Sequence, residues 1–232
     1  MSIKNKIKIA LIGYGKMGKE IDALCKDGEN FEVVSISYKN NLPAQARTDG
    51  LDLEGIKKAD VAIDFTSKDV LLKNVEAVAK LGVNMVVGTT GWQEDLEKVK
   101  KIVEKNNIGF IYSPNFSVGV NIFFKMMDFA GKMFAKFPEY EAYGLEVHHK
   151  AKLDSPSGTA LKIASKVKGL HFNSVRAGRN PGFHEVVFDS NADSITLSHQ
   201  AHSRVGFAKG ALVAAEFIKN KKGVYLFEDL FN

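Results

Sequence analysis

The feature that most constrains this chain is a short apolar run that ends in glycines. Ile7 to Ile12 reads Ile-Lys-Ile-Ala-Leu-Ile, and Gly13-Tyr14-Gly15-Lys16-Met17-Gly18 follows without a gap. A helical pattern continues through Ile21, Leu24 and Cys25. Strand, glycine turn and helix in that order are the opening of a dinucleotide-binding unit. Each glycine has its own task there. Gly13 permits the tight turn, Gly15 lets a pyrophosphate approach the backbone, and Gly18 lets helix and strand pack closely. In isolation Gly-x-Gly-x-x-Gly is a weak signal, equally compatible with a turn that binds nothing. Its place after a strand is what favours cofactor binding, with Tyr14, Lys16 and Met17 carried in the same turn.

Strands and helices then alternate. Strands are expected at Phe31 to Ser37, Val61 to Phe65, Val83 to Val87 and 108–112, with helices at 69–81 and 93–106. This alternation predicts an α/β fold with a Rossmann-type, doubly wound parallel sheet. Ligands bind such sheets beyond the carboxyl ends of the strands. The glycine turn, Phe65-Thr66, Gly88-Thr89-Thr90 and Ser113-Pro114-Asn115-Phe116 all follow strands. Each alone reads equally well as turn chemistry; together they outline one cofactor edge. NAD sites place an acidic residue near the end of the second strand. Here Ser37-Tyr38-Lys39 stands instead. No carboxylate repels a 2′-phosphate, and Lys39 can pair with one. That favours NADPH, or use of both NADPH and NADH. A solvated loop lysine is the other reading of Lys39.

The pattern changes after Phe116. One helix is expected over Val118 to Phe137, with Met126, Met127 and Met133 as packing residues. A strand over Tyr140 to His149, a helix over 157–168 capped by Ser155 or Ser157, and strands at Val186 to Phe188 and Ser194 to His199 follow. A final helix, Phe207 to Ile218, has the pattern of one that returns to the first domain. The expected layout is a dinucleotide-binding domain from residues 1–116 and 206–232. A second, mixed α+β domain for substrate binding and oligomerisation takes residues 117–205.

Composition excludes several classes. The 232 residues suit one or two domains. The net charge of +5 is mild and spread along the chain, without the basic block that tracks a phosphate backbone. No nucleic acid partner is expected, and anionic small molecules suit the charge better. The apolar runs are too short to span a bilayer, so no membrane partner is expected. Cys25 is the one cysteine, which fits a reducing, cytoplasmic setting and a packed thiol rather than a nucleophile. His171, His184, His199 and His202 are scattered, and no spacing among them suggests a metal site.

The chemistry concentrates in residues 146 to 159, Glu-Val-His-His-Lys-Ala-Lys-Leu-Asp-Ser-Pro-Ser-Gly-Thr. Histidine changes charge near neutral pH and can donate a proton. Lysine can hold a carboxylate or donate a proton itself. Ser-Gly-Thr at a helix start offers N–H groups and a hydroxyl to an anion. A lone strand histidine is more often satisfied by the backbone. Two of them, with Lys152 before a Pro-Ser-Gly-Thr turn, read as a site that protonates and holds an anion.

These motifs resemble the dihydrodipicolinate reductase family, also called 4-hydroxy-tetrahydrodipicolinate reductase. The resemblance rests on Glu146 to His149, Lys152, Asp154 and Pro156 to Ala160. Gly13 to Gly18, Gly88 to Trp92, Ser113 to Ser117 and Ser203-Arg204 fall in the family's order. It covers essentially the whole chain. It implies hydride transfer from a nicotinamide cofactor to a cyclic dicarboxylate in the diaminopimelate route to lysine. It further implies His148 as proton donor or acceptor, Lys152 as second proton donor, and His149 as a substrate contact. Gly158 and Thr159 would bind a substrate carboxylate. The glycine turn, Gly88 to Thr90 and Ser113 to Phe116 would bind cofactor, with Lys39 at its phosphate. It also implies a homotetramer built through the second domain's sheet. The chain departs from the family in three places: the glycine turn is one residue shorter, the carboxylate after the second strand is missing, and the segment before Arg176 is short.

Two rival readings share some of these signals. Another nicotinamide dehydrogenase would keep the glycine turn, and only residues 148 to 159 separate it. A thioester-forming semialdehyde enzyme needs a cysteine in the second domain, where this chain has none. A non-enzymatic NADP-binding regulator would be expected to lack the proton donor or the carboxylate site, and both motifs are present.

Overall fold

A computed structural model of the chain describes residues 5–38 and 50–231. The described residues fall into two compact units. One runs through Ser117 and resumes at Phe207; the other is Val118–Gly206.

The first unit is built on strand β1 (Ile7–Ile12), whose last four residues are at most 2% exposed. A strand covered on both faces needs such an unbroken apolar run. Helix α1 (Lys16–Asp27) follows, burying Gly18, Ile21, Asp22 and Cys25 at helical spacing. Then come β2 (Phe31–Ser37), the short helix α2 (Leu53–Ile56), β3 (Val61–Asp64), α3 (Lys68–Lys80), β4 (Asn84–Val87), α4 (Leu96–Asn106) and β5 (Gly109–Tyr112). Leu71, Val75 and Val78 of α3 and Val99 and Val103 of α4 pack into one core with β3 and β4. Each such side chain, fully buried, contributes roughly 1.5–3 kcal/mol. A 3₁₀ turn at Gln93–Asp95 opens the segment read as one helix over 93–106.

The second unit supplies α5 (Val118–Phe134), β6 (Glu141–His148), α6 (Gly158–Ala164), β7 (His171–Arg176), β8 (Phe183–Asp189) and β9 (Ser194–Gln200). After α7 (Val205–Ile218) the chain adds β10 (Gly223–Leu226) to the first sheet. Helix α6 stops at Ala164, short of the expected 168. Val167 and Leu170 keep the apolar spacing but lie in the irregular chain beyond it, buried under α5.

The first sheet has the order β10-β5-β4-β3-β1-β2, and all its pairings are parallel. From β1 the chain moves first to one side, to β2, and then to the other, to β3. The glycine turn therefore follows the strand at which the order reverses. Asn84 fixes the C-terminal return. Its amide donates to the carbonyls of Ile218 (2.7 Å) and Lys219 (2.8 Å), and its oxygen accepts from Gly109 N (2.7 Å).

The second sheet is mixed, with the order β7-β6-β8-β9. β6 is parallel to β7 and antiparallel to β8, and β8 is antiparallel to β9. Gly144, Glu146 and His148 alternate onto the buried face of β6, while Tyr143, Leu145 and Val147 face the other way. Among the described residues, no helix is long and apolar enough to cross a membrane. Cys25 is buried, and burial pushes its thiol up to about 11, which makes it a packing residue.

Candidate active site

In the first unit the three glycines of the turn meet different surroundings. Gly13 has φ +90°, and a Cβ there would lie 2.4 Å from the Phe65 carbonyl oxygen. A Cβ on Gly18 would lie 2.3 Å from the Gly13 carbonyl oxygen. Gly15, exposed at the N-cap of α1, has no atom within 4 Å of that position. Two glycines thus allow close packing, and the third leaves open space before a helix without an acidic residue in its first turn. Those features fit a dinucleotide pyrophosphate. Tyr14 turns its hydroxyl to Asp22, which also pairs with Lys26.

The ends of β3 and β4 are tied by Asp64, which is fully buried. Its carboxylate accepts from Thr66 N (3.0 Å), Thr66 Oγ1 (2.7 Å), Thr89 Oγ1 (2.8 Å) and Asn74 Nδ2 (2.8 Å). The Thr89 carbonyl accepts from Trp92 Nε1 (2.7 Å). Thr89 therefore shapes its turn from within, while Thr90 is exposed. A Cβ on Gly88 would lie 2.0 Å from the Phe65 ring. Beyond β5, Ser113 Oγ bonds both ends of Asn115, and Asn115 Oδ1 accepts from Ser117 N (2.9 Å). Pro114 is exposed. Phe116 is a core residue, 2% exposed and 4.9 Å from the Phe227 ring centroid. Its side chain is committed to packing. Lys39 lies outside the described residues.

In the second unit, strand register assembles a buried polar cluster. Glu146 lies opposite Ser174 on β7 and His184 on β8, and His148 lies opposite Arg176. Paired residues share a sheet face, so all five point to the buried side. Glu146 is 0% exposed. Its carboxylate accepts from Ser174 Oγ (2.6 Å), Arg176 Nη2 (2.7 Å) and Ser157 N (3.0 and 3.2 Å). His148 Nε2 is 3.4 Å and His184 Nε2 3.5 Å from Glu146 Oε2, and the two nitrogens are 3.4 Å apart. His184 Nε2 is also 3.1 Å from Ser157 Oγ.

This environment sets the charges. Burial pushes the Glu146 carboxyl up, but the donors from Ser157, Ser174 and Arg176 outweigh it and hold it at about 2. Burial lowers His148 below the usual histidine range; Glu146 and Asp154 oppose the shift, and Lys152 and Arg176 add to it. Burial and the neighbouring His148 take His184 down to about 4. The cluster is one carboxylate beside two neutral imidazoles at neutral pH.

The loop after β6 is tied to the same cluster. Ser157 caps α6, accepting from Ala160 N at 3.1 Å, which selects it over Ser155 as the cap. Lys152 Nζ pairs with Asp154 Oδ1 at 2.7 Å, and Asp154 Oδ2 accepts from Gly158 N at 3.3 Å. Arg176 Nη2 also donates to the Asp154 carbonyl at 2.6 Å. Thr159 is partly buried in the first turn of α6, and the carbonyl of half-buried His149 accepts from Lys152 N at 3.0 Å. Because α6 has only seven residues, what its start can offer is discrete N–H groups rather than a long helix dipole, and those of Ser157, Gly158 and Ala160 donate to Glu146, Asp154 and Ser157 Oγ. From sequence, Glu146 belongs to the family motif without a role of its own, His184 is one of the scattered histidines, and nothing marks Ser174 or Arg176 as part of a site. The alternation Glu146-Val147-His148 placed Glu146 on the His148 face, but the strand holding His184 was expected to begin only at Val186.

Models of two halves of one family match the chain in sequence. "Dihydrodipicolinate reductase, N-terminus" covers residues 7–116, and "Dihydrodipicolinate reductase, C-terminus" covers residues 119–231. The chain belongs to the dihydrodipicolinate reductase family. Curated relatives carry the name 4-hydroxy-tetrahydrodipicolinate reductase. The one from Christiangramia forsetii is 36% identical over 243 residues, 97% of this chain and 98% of its own. The one from Methanosarcina acetivorans is 38% identical over 236 residues, 91% of this chain and 86% of its own. The dipicolinate-bound dihydrodipicolinate reductase of Paenisporosarcina sp. TG-14 superposes with a TM-score of 0.82 at 27% identity, covering 97% of this chain and all of that one. A mutant "meso-dapdh" of Clostridium tetani E88, at 13% identity and a TM-score of 0.58, shares the fold alone. This member of the reductase family is an oxidoreductase with a Rossmann-type nucleotide-binding unit and a separate mixed-sheet unit, as expected from its sequence.

Proposed function

We propose that the chain reduces 4-hydroxy-tetrahydrodipicolinate to tetrahydrodipicolinate with NADPH or NADH, the 4-hydroxyl leaving as water and the hydride and a proton adding to the unsaturated ring, in the diaminopimelate route to lysine. The observation that carries this is the buried Glu146 carboxylate. It binds the His148 strand and the Ser157 turn together, so a proton donor and an anion-binding turn are held by one group. When bound, the nicotinamide supplies the hydride. Hydride addition leaves negative charge on the substrate's conjugated system, and an acid must quench it. His148 is assigned that role, with Lys152 as second donor and electrostatic partner. His149, Gly158 N–H and Thr159 hold the dicarboxylate. Gly13 to Gly18, Gly88 to Thr90 and Ser113 to Asn115 are assigned to the cofactor. Phe116 contributes through packing, and Lys39, outside the described residues, is assigned to the 2′-phosphate.

We read the enzyme as cytoplasmic and as a homo-oligomer, a tetramer on the family pattern. The outward face of the second sheet supports self-association: Tyr143 and Val175 are exposed there beside Leu145 and Val147. The deciding experiment is a coupled assay in which the upstream synthase makes the unstable substrate in place from pyruvate and aspartate semialdehyde. Loss of NADPH absorbance that requires the synthase is the expected result. No loss with either cofactor, from protein shown to bind it, would overturn the proposal.

A further inference from the structure

We infer that Glu146 is a positioning residue that holds neutral His148 with its ring proton on Nε2, so that Nδ1 is the atom that carries the transferred proton. The inference rests on the proposed role of His148 as acid and deepens it.

The geometry around the carboxylate leads there. Glu146 Oε1 is filled by Ser174 and Arg176. Oε2 accepts from Ser157 N at 3.2 Å and faces His148 Nε2 at 3.4 Å and His184 Nε2 at 3.5 Å, long for a hydrogen bond but close enough for the carboxylate charge to favour an N–H over a lone pair at each. A lone pair on His148 Nε2 would face that negative oxygen without a proton between them. An N–H there meets an acceptor instead.

His184 is fixed in the same sense. Its Nδ1 is buried without a partner. A proton there would strand a buried donor, a penalty of about 1–3 kcal/mol. With its proton on Nε2, His184 has Ser157 Oγ at 3.1 Å and Glu146 Oε2 as acceptors. Both imidazoles then present N–H to one carboxylate, and the 3.4 Å between their Nε2 atoms is a contact of two donors that share this acceptor rather than a hydrogen bond between the rings.

The opposite edge of His148 is kept clear by a glycine. A Cβ on Gly182, whose φ is +153°, would lie 3.2 Å from His148 Cε1 and 3.5 Å from Nδ1. The charged groups acting on His148 are Glu146, Asp154, Lys152 and Arg176, with His184 in ring contact. Protonation adds the Nδ1 proton, and transfer to substrate returns the ring to its Nε2–H form. The nicotinamide hydride supplies the electron pair.

Nitrogen NMR of the histidine-labelled enzyme reads the tautomer directly, without substrate. The Nε2–H form of His148 is expected in the wild type. Glu146→Gln should lose that preference, lower kcat by at least about 10-fold, and move the pH profile of kcat/KM to lower pH. Gly182→Ala, which removes none of the carboxylate's partners but crowds the Nδ1 edge of His148, should lower kcat with the tautomer unchanged. It serves as the second variant if Glu146→Gln does not fold. An Nδ1–H tautomer in the wild type would overturn the inference, as would an unshifted profile in a folded Glu146→Gln. So would loss of wild-type activity in EDTA restored by Zn²⁺, because a cation would then occupy the triangle. An active His148→Gln variant would sink the assignment of His148 as acid, yet leave the tautomer measurement standing.

Discussion

Gly18 and Gly13 are so close that a side chain on one would collide with the backbone of the other. The added Cβ of Gly18 would lie 2.3 Å from the Gly13 carbonyl oxygen. Gly18→Ala should therefore destabilise the first unit by about 1–3 kcal/mol, the usual overpacking range. Gly15→Ala meets no protein atom and should stay within about 0.5 kcal/mol of wild type. It should instead weaken cofactor binding by roughly 10-fold, the equivalent of about 1.4 kcal/mol. Urea unfolding with cofactor titration separates the two. Equal cofactor affinity in Gly15→Ala and wild type would remove the turn from the cofactor site.

His148→Gln should lower kcat by about 10²-fold or more, the scale of general acid–base groups. Lys152→Ala should lower kcat and raise KM, because Lys152 is assigned both to proton transfer and to the substrate carboxylate. Steady-state kinetics check both. Near wild-type turnover in both variants would refute the assigned roles.

Lys39→Ala should narrow the preference for NADPH over NADH. Loss of one charged hydrogen bond to a 2′-phosphate is worth about 1.5–3 kcal/mol, or roughly 10- to 100-fold. The ratio of the two Michaelis constants decides it, and an unchanged ratio would make Lys39 a bystander.

Acid should lower the stability of the enzyme over two pH windows set by one coupled cluster. His184 falls from 6.5 to about 4 on folding, so it favours the fold fully above pH 6.5 and loses that effect as pH drops toward 4. Glu146 falls from 4.5 to about 2, so its contribution is complete above pH 4.5 and is lost toward pH 2. Each shift corresponds to about 3 kcal/mol. Urea midpoints measured from pH 7 to 3 should begin to fall near pH 6.5. A flat line between 6.5 and 4.5 would contradict the His184 burial.

The first unit was largely legible in the sequence because its signals are local. Ile7 to Ile12 is a continuous buried run, and the glycine spacing states its own geometry. Strands β7 and β10 were not read. β10 has four residues, and β7, His-Phe-Asn-Ser-Val-Arg, lies at a sheet edge without an apolar run. The paired histidines and the Pro-Ser-Gly-Thr turn were visible, but the group that joins them was not. Glu146 meets Ser174, Arg176 and His184 through strand register, and no spacing along the chain encodes register. Phe116 shows the converse. Its place in a loop motif suggested cofactor contact, while its neighbours Phe65, Phe227 and Gly210 make it core.

Asp154 holds Lys152 Nζ with one oxygen and Gly158 N–H with the other. On the proposed assignment, these are donors that receive a substrate carboxylate. An arriving dicarboxylate then does not fill bare positive charge; it trades places with a carboxylate of the protein's own. Affinity at this point is the difference between two similar acceptors. A ligand must resemble an aspartate side chain in charge and shape before the loop has any reason to release the one it already has.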